Sequence, residues 1–243
     1  MDVFEPGFCL YDDPDLPEGK DADAKSPMLR AAHRRLWSKC APSSGRVELA
    51  DDLTMTWPAG VRGLRLSSDT IATTHERYQS IRDRGLWRNL SAASQQRYDR
   101  GFYTIGAFII LPCHERSLNQ CRGTRWQIKD RFDLTLECIR LYFEGVTAIE
   151  RNPLGDILFS DAAFFDMFGH RAGGFHAYVQ FFHLRDLVTS GRIRWFDNSA
   201  VDEWQFGVLP LPTNHAGYVS YLENVLTFVR SRGEALAQAV KRA

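Results

Sequence analysis

Apolar and polar positions change rhythm several times along the chain. Behind Ser26-Pro27, a capping side chain followed by a residue whose φ is already helical, Leu29, His33, Leu36 and Trp37 recur at helical spacing. This predicts a helix to about Lys39. Val47, Leu49, Leu53, Met55 and Trp57 alternate beyond Pro42-Ser43-Ser44-Gly45, and Val61 to Leu66 repeats the pattern, so two or three short strands are expected there. His75 to Arg84 and Ser91 to Arg100 read as short polar helices. Tyr103 to Leu111 is apolar on both faces and ends at Pro112, the pattern of a central, buried strand. The second half reads as helical over Thr124 to Glu144, Leu154 to Phe168, Phe175 to Val188 and Tyr218 to Val240, with one strand at Arg192 to Phe196. Gly169 to Gly174 reads as a turn, and Ser199 to Pro212 as a long aromatic crossing. The sum is one α+β domain, a small and mainly antiparallel sheet packed by several helices, with a helix-rich second half.

Charge changes this picture at one end. Thirty basic and thirty acidic side chains cancel, which argues against a protein that coats nucleic acid by bulk electrostatics. Residues 1–27, however, carry eight acids against Lys20 and Lys25, leaving 28–243 at +6. The expected division is an acidic arm over 1–27 and a single α+β domain over 28–243. No apolar run approaches the ~20 residues that span a bilayer, and the acidic N-terminus is unlike a secretory leader, so a cytoplasmic protein without a membrane partner is expected. Five cysteines at irregular spacing are expected as thiols.

The stretch Leu118 to Phe143 carries the most chemistry. Thr124 with Gln127 three residues on has the form of a capping box, which would start a helix at 124 and gather Arg122, Arg125 and Lys129 at its positive end. Guanidinium forks around free backbone N–H groups make an anion site, with Asn119 and Arg131 alongside; the expected ligand is phosphate-bearing, a nucleotide or nucleic acid. Asp130, Asp133 and Glu137 fall with Arg140 and Glu144 on one narrow stripe of an otherwise apolar helix. Facing a cleft, these acids would serve acid/base chemistry or hold a divalent cation; paired with arginines such as Arg82, Arg84 or Arg185, they would be a buried network. Phosphoryl transfer or hydrolysis is the class an enzyme of this kind would follow, and a non-catalytic protein-interaction module with a structural charge network is the alternative. Whether the protein is an enzyme stays open. Arg77, Arg82, Arg84, Trp87, Arg88, Arg97, Tyr98 and Arg100 mix cations with aromatics, but Trp87 and Tyr98 are expected to pack inward. His176 and His183, about 10.5 Å apart along a helix, cannot share one zinc, and no metal site is expected.

Asn119-x-x-Arg122-Gly123 followed by D-R-F-D-L-T-L-E-C-I-R at 130–140 resembles an uncharacterised bacterial family, a domain of unknown function. G-K-D-A-D at Gly19 to Asp23, S-P-M-L-R-A-A-H-R-R-L-W-S-K up to Lys39, L-S-S-D at Leu66 to Asp69 and the run ending at Val188 are similar to it too. The resemblance implies no activity, cofactor or substrate.

Overall fold

The computed structural model describes residues 2–5, 7–56, 63–125, 127–198 and 210–242. In chain order the first half holds helices α1 (Ala22–Lys25) and α2 (Pro27–Trp37), strands β1 (Cys40–Ala41), β2 (Gly45–Arg46), β3 (Glu48–Leu49), β4 (Thr54–Thr56) and β5 (Leu64–Thr70), helices α3 (Gln79–Asp83) and α4 (Ala92–Gly101), and strand β6 (Phe108–Pro112). The second half holds α5 (Leu118–Cys121), α6 (Phe132–Phe143), α7 (Gly155–Ser160), α8 (Ala162–Phe165), α9 (Arg171–Phe181), strands β7 (Val188–Thr189) and β8 (Arg192–Ile193), and α10 (His215–Arg242). The protein is thus α+β: strands β3-β4-β5-β6 form an antiparallel sheet, β1-β2 and β7-β8 are two-residue ribbons, and helices dominate the second half.

Several helices begin where a side chain supplies the missing acceptor. Ser26 Oγ accepts from Leu29 N at 3.0 Å and opens α2, while Ser91 Oγ accepts from Ser94 N at 3.2 Å and opens α4. Asp13, from the acidic N-terminal segment, reinforces the first cap by accepting from Ser26 Oγ at 2.5 Å and Met28 N at 3.2 Å. The same segment places Val3, Phe4, Leu10 and Ala22 in the core.

Four expectations need correction. The helix expected from Thr124 starts at Phe132, because Lys129 (φ 41°) and Asp130 (φ 64°) turn the chain into the left-handed region. Thr124 Oγ1 donates to Cys121 O at 3.0 Å instead of accepting as a cap. The strand expected at 103–111 is confined to β6, which follows a 3-10 turn at Ile105–Ala107 and lies at the end of the sheet. Its burial is complete all the same, since helices cover the open side. Ala107 O and Cys113 N both bond toward β5, so Pro112 faces the open side, where a missing N–H costs no ladder bond. The helix expected over 154–168 breaks at Asp161, and the turn expected at 169–174 is mostly the first part of α9.

α10 crosses the Ile105–Ala107 turn so closely that a Cβ on Gly106 would lie 2.0 Å from Val229 O. From α10, the fully buried Arg232 reaches that strand end: Nη1 donates to Gly106 O (2.7 Å) and Phe108 O (2.9 Å), and Nε to Phe182 O (3.0 Å). Burial lowers its pKa to about 9. Around α8 and α9 the core is aromatic, with Tyr178 and Trp37 rings 4.9 and 5.0 Å from Phe182.

Candidate functional site

Arg122 is the hub of the polar interior. Because the chain turns back at Lys129 and Asp130, Asp130 N donates to Arg122 O (3.2 Å), and the guanidinium sits fully buried inside its own loop. Nη1 donates to Asp69 Oδ2 at 2.7 Å, Nη2 lies 2.9 Å from Asp130 Oδ1, and both nitrogens donate to Thr70 O. Arg77 closes the other side of Asp130 through an ion pair. The result is an Asp69–Arg122–Asp130 bridge whose carboxylates keep 17% and 15% of their side-chain surface in contact with water.

Strand β5 ends at this bridge, and its polar residues are held from both sides. Asn119 Nδ2 donates to Ser67 Oγ at 2.5 Å. Trp37 Nε1 donates to His33 Nδ1 at 3.0 Å, so the neutral ring carries its hydrogen on Nε2 and donates it to Ser68 Oγ at 2.9 Å. Burial lowers the His33 pKa to about 3, which keeps that tautomer uncharged.

Short helix α1 packs on β5 and brings two more carboxyls. Burial, then the charges of Asp21 and Asp69, push Asp23 up to about 7. Asp69 is pushed up to about 6 by burial, against the pull of Arg122 and with a push from Asp130. Tyr103 OH donates to Asp21 Oδ1 at 3.4 Å, and an open cavity of about 570 Å³ is lined by Tyr11, Glu18, Lys20 and Asp21. Carboxyls that exchange protons near neutral pH, with one edge reaching solvent, are equipped to give and take protons.

The other expected site residues lie apart from this cluster. Arg125 Nη2 donates to both Asp156 oxygens at 3.1 and 3.0 Å. Arg131 is buried and donates to Asp133, to Asp197 and to Pro210 O. Asp133 also accepts from Phe196 N at 2.8 Å. Glu137 is gripped by Arg140 through two bonds of 2.7 Å. The stripe is therefore paired, though by Arg131 and Arg140 and not by the expected Arg82, Arg84 or Arg185. Trp87 and Tyr98 are buried, and Arg97 pairs with Glu223. Most of the aromatic crossing expected at 199–212 lies outside the described residues. All five cysteines are free. Among the described residues, no group of three or more His, Cys, Asp or Glu is arranged to hold a metal ion, and no helix is long and apolar enough to cross a membrane.

Asp23, Asp69, Ser67 and His33 were not among the expected site residues. The signal for Asp23, Ser67 and Asp69 lay in G-K-D-A-D and in the polar run L-S-S-D that closes a strand; L-S-S-D meets Asn119 and Arg122 in space, and Asp23 lies beside Asp69.

Fold and site together define a helix-rich α+β protein built around a buried aspartate–arginine–aspartate bridge beside protonatable carboxyls. The chain belongs to a family of unknown function (DUF6994), which matches residues 4–236. No curated protein and no solved structure matches it.

Proposed function

We propose that the protein binds a small neutral or cationic polar molecule at the Asp23–Asp69 carboxyls and serves it as an acid–base site. The observation that carries this reading is convergence: Asp23 on α1 lies beside Asp69 on β5, Arg122 bridges Asp69 to Asp130, Asn119 holds Ser67, and burial raises the pKa of both Asp23 and Asp69. Asp23 is the proton store, Asp69 its partner, Arg122 and Asn119 the groups that hold the pair in place. A phosphate-bearing ligand fits less well, because Arg122, Arg125 and Arg131 already face carboxylates that a phosphate would have to displace. The interaction-module alternative draws support from Asp133 and Glu137, each of which is paired with an arginine. Carbon-detected NMR titration of the aspartate carboxyls tests the reading: one should titrate near pH 7 and vanish in Asp23→Asn. Aspartates that all titrate below about pH 5, close to their ordinary range, would overturn it.

A further inference from the structure

A second cavity, of about 340 Å³, lies between Phe4, Glu5 and Gly7, α4 and α10. Its size is at the lower end of small-molecule sites, which run from ~300 to 1,000 Å³. Phe4 and Ile105 give it an apolar floor through the small part of each side chain that stays open, with the fully buried Val229 behind them. Five charged side chains also line it, and they divide into two sets. Arg97 is committed to Glu223 through bonds of 2.5 and 2.6 Å, and Arg100 is committed to Asp12. Among the described residues, Arg230, Glu5 and Glu234 form no ion pair within 4.0 Å, although Arg230 lies near enough to Glu223 to help hold its pKa down. An anion alone would meet one cation outside a close ion pair and two repelling acids; a cation alone would meet the reverse, with Arg230 against it. A molecule carrying both charges a few bonds apart satisfies both sets.

We propose that this cavity binds an apolar zwitterion of amino-acid size, its carboxylate at Arg230, its ammonium at Glu5 and Glu234, and its hydrocarbon part on Phe4 and Ile105. The site stands apart from the Asp23–Asp69 cluster and does not depend on it.

Calorimetric titration with L-leucine, N-acetyl-L-leucine, L-leucinamide and N-acetyl-L-leucinamide tests the charge requirement directly. L-leucine should bind, and removal of either charge should weaken binding about fivefold or more, as loss of a charge-assisted hydrogen bond does. In Arg230→Gln, L-leucine and L-leucinamide should become equal; in the Glu5→Gln, Glu234→Gln double variant, L-leucine and N-acetyl-L-leucine should. These three residues are exposed, so the melting temperature should not move and folding stays separable from binding. No heat from L-leucine at about 10 mM, or equal binding of the doubly capped compound, would overturn the proposal.

Discussion

Asp133→Asn replaces one oxygen by an amide nitrogen in a fully buried site, and four donors already point at that carboxylate. Arg131 contributes Nε at 3.1 Å and Nη2 at 2.5 Å, Phe196 N approaches to 2.8 Å, and Leu134 N to 3.0 Å. A carboxylate accepts all four. An asparagine oxygen accepts about two, and its amide adds two hydrogens that face donors. Two donors are then left without acceptors in a place water does not reach, at ~1–3 kcal/mol each. Part of the guanidinium remains served, because Arg131 Nη1 keeps Asp197 Oδ2 and Pro210 O, both at 2.7 Å. The balance is a loss of about 3 kcal/mol, within the range for breaking a buried ion pair from one side. In a chain of this length that corresponds to a fall in melting temperature of roughly 6–12 °C. Chemical denaturation at pH 7 measures it, with an unchanged m-value showing that only stability moved. A loss below about 1 kcal/mol would refute the reasoning.

Four further outcomes are expected. Burial holds the His33 pKa at about 3, so the unfolded chain takes up a proton first on acidification; the stability His33 contributes is present above pH 6.5 and lost as pH falls toward 3, and His33→Gln should flatten denaturation midpoints measured between pH 7.5 and 4.5. Asp23 has the opposite sign: with its pKa raised from 3.8 to about 7, its contribution is present below pH 3.8 and lost as pH rises through 7. Asp23→Asn should therefore raise stability at pH 8 by about 2 kcal/mol, after halving for solvent contact, and leave it unchanged at pH 4. Gly106→Ala, whose Cβ would land 2.0 Å from Val229 O, should cost at least about 2 kcal/mol by thermal melting. Gly233→Ala, with its nearest contact at 3.6 Å, should gain up to about 1 kcal/mol from helix propensity.

What could be read from the chain was whatever local chemistry decides. Ser26-Pro27 and Ser91 start helices where a capping side chain says they should, and the fold class follows from the alternation of patterns. Thr124 and Gln127 misled because a capping box is only an offer of hydrogen bonds; Asp69, more than fifty residues upstream, makes Arg122 a better one, and the backbone wraps the guanidinium instead of starting a helix. The candidate site was half visible for the same reason. Asn119, Arg122 and Asp130 stood out within one segment, whereas Asp23 and Asp69 gain their proton affinity from burial and from carboxylates that distant segments bring, Asp69 beside the first and Asp130 beside the second, which no window of sequence contains.

Arg232 has a consequence for how the protein keeps to itself. A strand at the end of a sheet exposes carbonyl and N–H groups in register, and another chain's strand can dock there. At the start of β6 the carbonyl of Phe108 and that of Gly106 in the turn before it are taken by a side chain, and Pro112 offers no N–H on that side. A guanidinium cannot be extended as a strand can, so it ends the sheet instead of passing the edge on to a neighbour. The helix that carries it therefore closes that end of the edge to another chain's strand.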